Sequence, residues 1–139
     1  MAPTRDQLLS TAHAFLASLP EHYRLLSPNV TVKMGPDSLG IPDKKGREEL
    51  REFVAPLAAS LKNLKVWVKE GTEPIIDTQA RKVVIQAKSY AETVIGEYAN
   101  EFVFILTTNE SGDLLDEYVE LVDSNYAKNF FERPQAANW

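Results

Sequence analysis

The sequence predicts an α+β domain: a curved antiparallel sheet wrapped around N-terminal helices, forming a cone with an internal pocket. Three observations carry that expectation. Apolar residues recur at helical spacing up to residue 61, the period changes to alternation from residue 64 onward, and turn formers punctuate the alternating part. Helices first and strands afterwards is the order of a domain whose helices share one face of a sheet. A sheet bent round its helices leaves a cavity between the layers, and function is expected there.

The elements follow in order. Thr4-Arg5-Asp6-Gln7 reads as a capping box, in which the Thr hydroxyl accepts from an orphan amide and Gln7 reaches back. Leu8, Leu9, Ala12, Phe15, Leu16 and Leu19 then make a helical stripe, and Pro20 stops it. A short segment over residues 23–28 leads to a brief strand at 30–34. Residues 35–42 form a loop, because two Gly and two Pro punctuate it. Asp43 is the expected cap of a second helix with the stripe Leu50, Phe53, Val54, Leu57, Ala58 and Leu61. Pro56 inside that stripe predicts a kink or break. Strands are expected at 64–69, 75–77, 81–93 and 97–108, then a polar turn at 109–113 and a last strand at 114–122. Asp123 or Ser124 can cap a final short helix to residue 131, which Pro134 ends.

With 139 residues and no repeat or linker, the chain reads as one domain over 1–139. The net charge is −5 and the Lys and Arg residues are dispersed among acids, which argues against nucleic acid as a partner. The absence of cysteine excludes disulfides, thiolate catalysis and cysteine-based zinc sites, and fits a reducing compartment. The first residues lack a hydrophobic signal core, and no apolar run approaches the ~18 residues of a membrane helix. A cytoplasmic protein without membrane association is the expectation. There is no GxGxxG, P-loop, GxSxG or HExxH. His13 and His22 are the only histidines, and with a predicted helix end between them they do not make a metal site. Hence no metal and no cofactor are expected. An enzyme of this composition works through side-chain acids and bases.

Alternation along the strand at 97–108 puts Tyr98, Asn100, Phe102, Phe104 and Leu106 on one face, and Ala99, Glu101, Val103 and Ile105 on the other. Both faces are largely apolar, so both need a cover. Helices and pocket supply one; a partner subunit or more of the same chain supplies the other, and a homodimer is expected. On the last strand Tyr118, Glu120 and Val122 share a face. A carboxylate among apolar side chains is costly unless it is partnered or protonated. Desolvation raises its pKa, which suits proton transfer near neutrality. Glu120 is therefore either a pocket acid/base or an ion-paired residue at an interface. Glu101 lies on the face opposite Tyr98, and Asp123 reads as a helix cap or a further pocket carboxylate. Lys33, Met34 and Asp37 flank a Gly/Pro loop after a strand, a place for a pocket rim or a plain surface turn.

The run Gly96-Glu97-Tyr98-Ala99-Asn100-Glu101-Phe102-Val103-Phe104, then Ser111-Gly112-Asp113 and Glu120-Leu121-Val122-Asp123-Ser124, resembles the SnoaL-like proteins of the nuclear transport factor 2-like superfamily, in particular their small fungal group. Met34-Gly35-Pro36-Asp37-Ser38-Leu39-Gly40 is similar to the loop after that group's first strand. The resemblance implies a cone-shaped nuclear transport factor 2-like barrel. It implies an isomerase or cyclase acting by general acid–base catalysis on a small hydrophobic polycyclic intermediate of a fungal polyketide, meroterpenoid or alkaloid pathway. It also implies a homodimer through the open sheet face. By position, Glu120 and Tyr98 are the expected catalytic residues, and Phe102, Tyr118, Lys33, Asp37, Met34 and Asn100 the expected substrate-binding ones. Phe102 stands where the group usually has Tyr, and Val32 and Lys33 where a His pair is common. Two other readings compete: a non-catalytic protein binding a hydrophobic metabolite, and a dimeric adaptor. Fold alone does not choose among them. An open pocket with an unpaired carboxylate favours the enzyme, and a filled cone favours the adaptor.

Overall fold

The structure, a computed structural model, describes residues 2–131. The capping box forms: the Thr4 amide donates to Gln7 Oε1 (2.8 Å) and the Gln7 amide donates to Thr4 Oγ1 (3.2 Å). It starts helix α1 (Arg5–Ser18), which buries Leu8, Ala12, Phe15 and Leu16 on one side. A 3-10 turn at Tyr23–Leu25 leads into strand β1 (Leu26–Gly35), and a second 3-10 turn at Asp37–Leu39 follows. Next come a two-residue strand β2 (Lys44–Lys45), helix α2 (Arg47–Ser60), and strands β3 (Lys62–Val68), β4 (Ile75–Asp77), β5 (Lys82–Thr93), β6 (Gly96–Tyr98), β7 (Glu101–Thr108) and β8 (Leu115–Val122). Helix α3 (Ser124–Phe131) closes the described chain. Its expected end at Pro134 lies outside the described residues.

The architecture is α+β, as expected, with one strongly curled sheet of order β2-β1-β8-β7-β5-β3, and with β4 and β6 also pairing β5. The sheet is mixed. Every pair is antiparallel except β1 with β8, which run parallel. Local hairpin signals cannot show a pairing between the first and last long strands, because nothing short-range encodes it.

Several boundaries differ from the sequence expectation. Asp43 does not cap α2. Gly46 occupies that position with φ 93°, a conformation that favours glycine, and its amide donates to the Val30 carbonyl. The Glu49 carboxylate instead accepts from the Lys45 amide (2.9 Å), and Asp43 pairs with Lys33 (3.9 Å). Pro56 stays within a continuous α2, because it lies on the exposed side where solvent reaches the carbonyl it leaves unpaired. The strand expected at 97–108 is divided into β6 and β7. Both keep one register against β5, but at the break the Ala99 amide donates to the Tyr126 hydroxyl (3.0 Å) instead of to the sheet.

The core lies between α1, α2 and the concave face of the sheet. Cross-strand partners build it in rows. Met34, Glu120, Phe104 and Ile85 form one row across β1, β8, β7 and β5, and Val32, Tyr118, Leu106 and Val83 form the next. Phe15 from α1 reaches these rows, its ring 5.3 Å from Phe104 and 5.1 Å from Tyr118. Beside Met34, Glu120, Phe104 and Tyr118 the packing does not close, and a cavity remains.

Candidate active site

The cavity has a volume of about 280 Å³. Its floor is the concave sheet, one wall is α2 through Phe53, Val54 and Leu57, and α3 contributes Ala127 and Lys128. Strand alternation decides which expected residues reach it. Tyr98, Phe102, Tyr118, Glu120 and Met34 all line the cavity. Lys33 does not: Val32 and Met34 point inward, so Lys33 between them points out, exposed and paired with Asp43. Asp37 does not either: the 3-10 turn it begins sends Leu39 to the cavity wall, while Asp37 itself is exposed. Asn100 also fails to line the cavity. It is buried behind Tyr98, and its amide is committed: the Glu101 amide donates to Oδ1 (2.7 Å), while Nδ2 donates to the Tyr98 hydroxyl (2.7 Å) and the Asp123 carbonyl (3.4 Å). Asn100 therefore holds Tyr98 rather than a substrate.

The three carboxylates near the strand ends separate. Glu101 faces outward and pairs with Lys69 (3.7 Å). Asp123 caps α3, its Oδ1 accepting from the Tyr126 amide (3.1 Å). Glu120 alone borders the cavity, and it is the only carboxylate among the described lining residues. Among the described residues it makes no hydrogen bond or ion pair. Its side chain is only partly shielded from solvent, since the cavity it borders is open, yet the mass of apolar protein round it dominates. Desolvation pushes its pKa from 4.5 up to about 7.

Tyr98, Lys128, His22, Ser89 and Tyr118 border the same space with polar side chains. The Tyr98 hydroxyl accepts from Asn100, and its ring meets Phe130 at 4.9 Å and Tyr126 at 5.5 Å, which seats α3. Burial, and to a lesser degree the charge of Glu120, raise its pKa, against the lowering pull of Asn100. Lys128 lies on the exposed side of α3 at the cavity edge. His22 was absent from the sequence-based site. It is 2% exposed, and Nδ1 lies 3.1 Å from the Pro20 carbonyl. A carbonyl only accepts, so Nδ1 carries the hydrogen and donates it. Burial lowers the pKa of the ring to about 4, so the ring is neutral and Nε2 is a lone pair. Nε2 therefore accepts from the Tyr118 hydroxyl (2.7 Å). The only hint of this in the sequence is a histidine two residues after a helix-stopping proline. Among the described residues no three His, Asp or Glu side chains converge as metal ligands do.

Set against known proteins, no profile of a described family matches the sequence. Individual relatives do. Austinoid biosynthesis clusters protein H of Penicillium brasilianum is 36% identical over 129 residues, which cover 89% of this chain and 88% of the relative. The chain belongs to the fungal SnoaL-like family. The BvnE pinacolase of Penicillium brevicompactum has the same fold with a TM-score of 0.87 and 34% identity, covering 92% of this chain and 90% of that one. A SnoaL-like protein from Jannaschia Sp. CCS1, 14% identical over 93% of this chain and 94% of its own, shares the fold at a TM-score of 0.73. The family's fold is thus that of isomerases and cyclases of secondary metabolism, and the cavity occupies the interior of its cone. No helix among the described residues is long and apolar enough to cross a membrane.

Proposed function

We propose that this SnoaL-like protein is a cofactor-independent isomerase or cyclase of fungal secondary metabolism, with Glu120 as its general acid and base. One observation carries the reading: a single carboxyl group, without an internal partner among the described residues and with a pKa near 7, borders a largely apolar cavity. At neutral pH such a group is present in both forms, the condition under which one residue gives a proton and takes one. The protonated form donates to a carbonyl or hydroxyl oxygen of the substrate. The carboxylate then removes a proton from carbon or oxygen elsewhere on the same molecule. One proton enters and one leaves, so the product is an isomer and the enzyme returns to its starting state. Tyr98, oriented by Asn100, holds the reacting oxygen and stabilises charge that develops on it. Phe102, Met34 and the α2 wall accept the hydrocarbon body of a polycyclic substrate by apolar contact. An unfilled cone favours this reading over an adaptor.

Glu120→Gln keeps the shape and removes the titration. Its turnover of the true pathway intermediate should fall about 10²–10⁴-fold with the fold retained. A folded Glu120→Gln protein with wild-type turnover would overturn the mechanism.

A homodimer through the convex face belongs to the same proposal. Val103, Ile105, Val119 and Leu121 come together there, and Leu121 is 37% exposed. Light scattering at micromolar concentration should give twice the monomer mass, and a monomer would reject the dimer.

A further inference from the structure

The end of α1 and the turn after it give the cavity wall Leu19, Pro20 and His22, and Tyr118 stands against His22 from β8. The direction of the hydrogen between these two side chains is fixed. Nδ1 of His22 lies 3.1 Å from the Pro20 carbonyl, which only accepts, so Nδ1 keeps its hydrogen. No carboxylate pairs with the ring among the described residues, and burial holds it neutral. Nε2 is therefore a lone pair, and the Tyr118 hydroxyl 2.7 Å away supplies the hydrogen. Burial first, and then the charge of Glu120, keep that phenol protonated. Its one hydrogen is engaged, while its oxygen can still accept.

The pair is also held in place. Phe15 meets the imidazole edge-on at 5.2 Å and the Tyr118 ring at 5.1 Å. Tyr23 stacks on the imidazole at 5.6 Å, and Arg51 lies 4.7 Å over Tyr23. Neither ring turns without breaking these contacts.

We propose that Tyr118 is a specificity-determining residue: its oxygen, with the hydrogen committed to His22, accepts from a hydroxyl of the substrate and disfavours a carbonyl at that place. The inference rests on the reading of the cavity as a substrate site, and it adds the kind of group the substrate carries there. His22 acts through Tyr118 and is a positioning residue. The other polar groups of the lining do not duplicate the pair. Lys128 only donates. Glu120 gives or takes according to its protonation. Ser89 is shared with Asn100 through contacts of 3.4 and 3.5 Å. A substrate hydroxyl at Tyr118 meets a lone pair. A carbonyl there sets lone pair against lone pair, and a polar group left unpaired in apolar surroundings is costly. Tyr118 lies two residues from Glu120 on the same face of β8, so a hydroxyl anchored on it also limits how the substrate slides along that strand. No bond between Tyr118 and Glu120 is needed.

The test is the binding of three probes by isothermal titration calorimetry: naphthol, methoxynaphthalene and acetylnaphthalene, substituted at the same ring position. The first offers a hydrogen, the second offers none, and the third offers a carbonyl. Ratios of affinity are compared, because general damage to the cavity weakens all three alike. The preference for naphthol over methoxynaphthalene should be about three- to tenfold larger in the wild type than in Tyr118→Phe, the share of one hydrogen bond. Acetylnaphthalene should bind these two proteins equally. In His22→Phe the Tyr118 hydrogen is released, and acetylnaphthalene should bind about three- to tenfold more tightly than to the wild type. Adding Tyr118→Phe to His22→Phe should abolish that gain. An equal preference for naphthol in the wild type and Tyr118→Phe overturns the proposal. So does a loss of acetylnaphthalene affinity in Tyr118→Phe, which would show the hydroxyl donating into the cavity, and so does an unchanged acetylnaphthalene affinity in a folded His22→Phe. Should His22→Phe fail to fold, the two Tyr118→Phe results decide. If no probe binds, the cavity is not a site for such ligands and the inference falls with that reading. Failure of the acid–base chemistry alone would show separately, as wild-type turnover in Glu120→Gln.

Discussion

Glu120 and Asn100 show how one side chain's role depends on what its neighbours leave it. Alternation places both on inward faces, yet only Glu120 reaches the cavity without a partner among the described residues. Asn100 spends its donors and its acceptor on Tyr98, Asp123 and Glu101. In the proposed mechanism Tyr98→Phe deletes one hydrogen bond to the substrate and no proton transfer, so its turnover should fall by less than that of Glu120→Gln. Steady-state kinetics of both variants on one substrate check the order, and a Tyr98→Phe loss as large as that of Glu120→Gln would give the tyrosine a proton-transfer role. At this scale the sequence is readable where period-2 alternation alone decides. That holds for Glu120, Phe102 and Met34, which line the cavity, and it should have removed Lys33, whose neighbours on both sides point inward. It is unreadable where a long-range hydrogen bond decides. Nothing in a linear chain tells that His22 meets Tyr118 across most of its length.

Elements repeat the lesson at larger size. The capping box of α1 and the cap of α3 are local, carried by residues a few positions apart, and both were legible. The parallel pairing of β1 with β8 joins the two ends of the chain and leaves no local trace. β2 is invisible for a related reason: two lysines become a strand only because the Gly46 amide, at their end, is drawn to the Val30 carbonyl. Helix α3 tests the functional weight of a local signal. It has eight residues, and a helix so short needs its cap and its packing. Asp123→Ala removes the acceptor for the Tyr126 amide and should cost about 0.5–2 kcal/mol of local stability. Amide hydrogen exchange at Tyr126 and Ala127 should quicken while that of β7 stays unchanged. Unchanged exchange in α3 would mean that the Tyr98–Tyr126–Phe130 ring contacts hold the helix unaided.

For the molecule as a whole, two titratable groups of the cavity, Glu120 and His22, pull stability in opposite directions with pH. Burial raises the pKa of Glu120 from 4.5 to about 7. Below pH 4.5 the group is protonated in both the folded and unfolded chain and costs nothing. As pH rises toward 7 the unfolded chain releases the proton while the folded one keeps it, so stability is lost, and the loss is complete once the folded group ionises. At ~1.4 kcal/mol per pH unit this amounts to roughly 3 kcal/mol at most, reduced by solvent that enters the cavity. His22 acts in the reverse sense. Its pKa falls from 6.5 to about 4, so its contribution is intact above pH 6.5 and is lost as pH falls through 4. Over the interval the two share, the losses and gains offset, and the wild-type protein should show little net slope from this pair. Glu120→Gln removes one side of the balance. Its stability should match that of the wild type near pH 4, where the wild-type carboxyl is neutral. It should then climb with pH as His22 discharges in the unfolded chain, and exceed the wild type by up to roughly 3 kcal/mol above pH 7. Urea denaturation of both proteins from about pH 4 to about pH 8 measures this directly. Parallel curves would show that Glu120 is not desolvated in the folded protein, and a Glu120→Gln protein less stable than the wild type at pH 8 would show that the carboxylate has a partner it depends on.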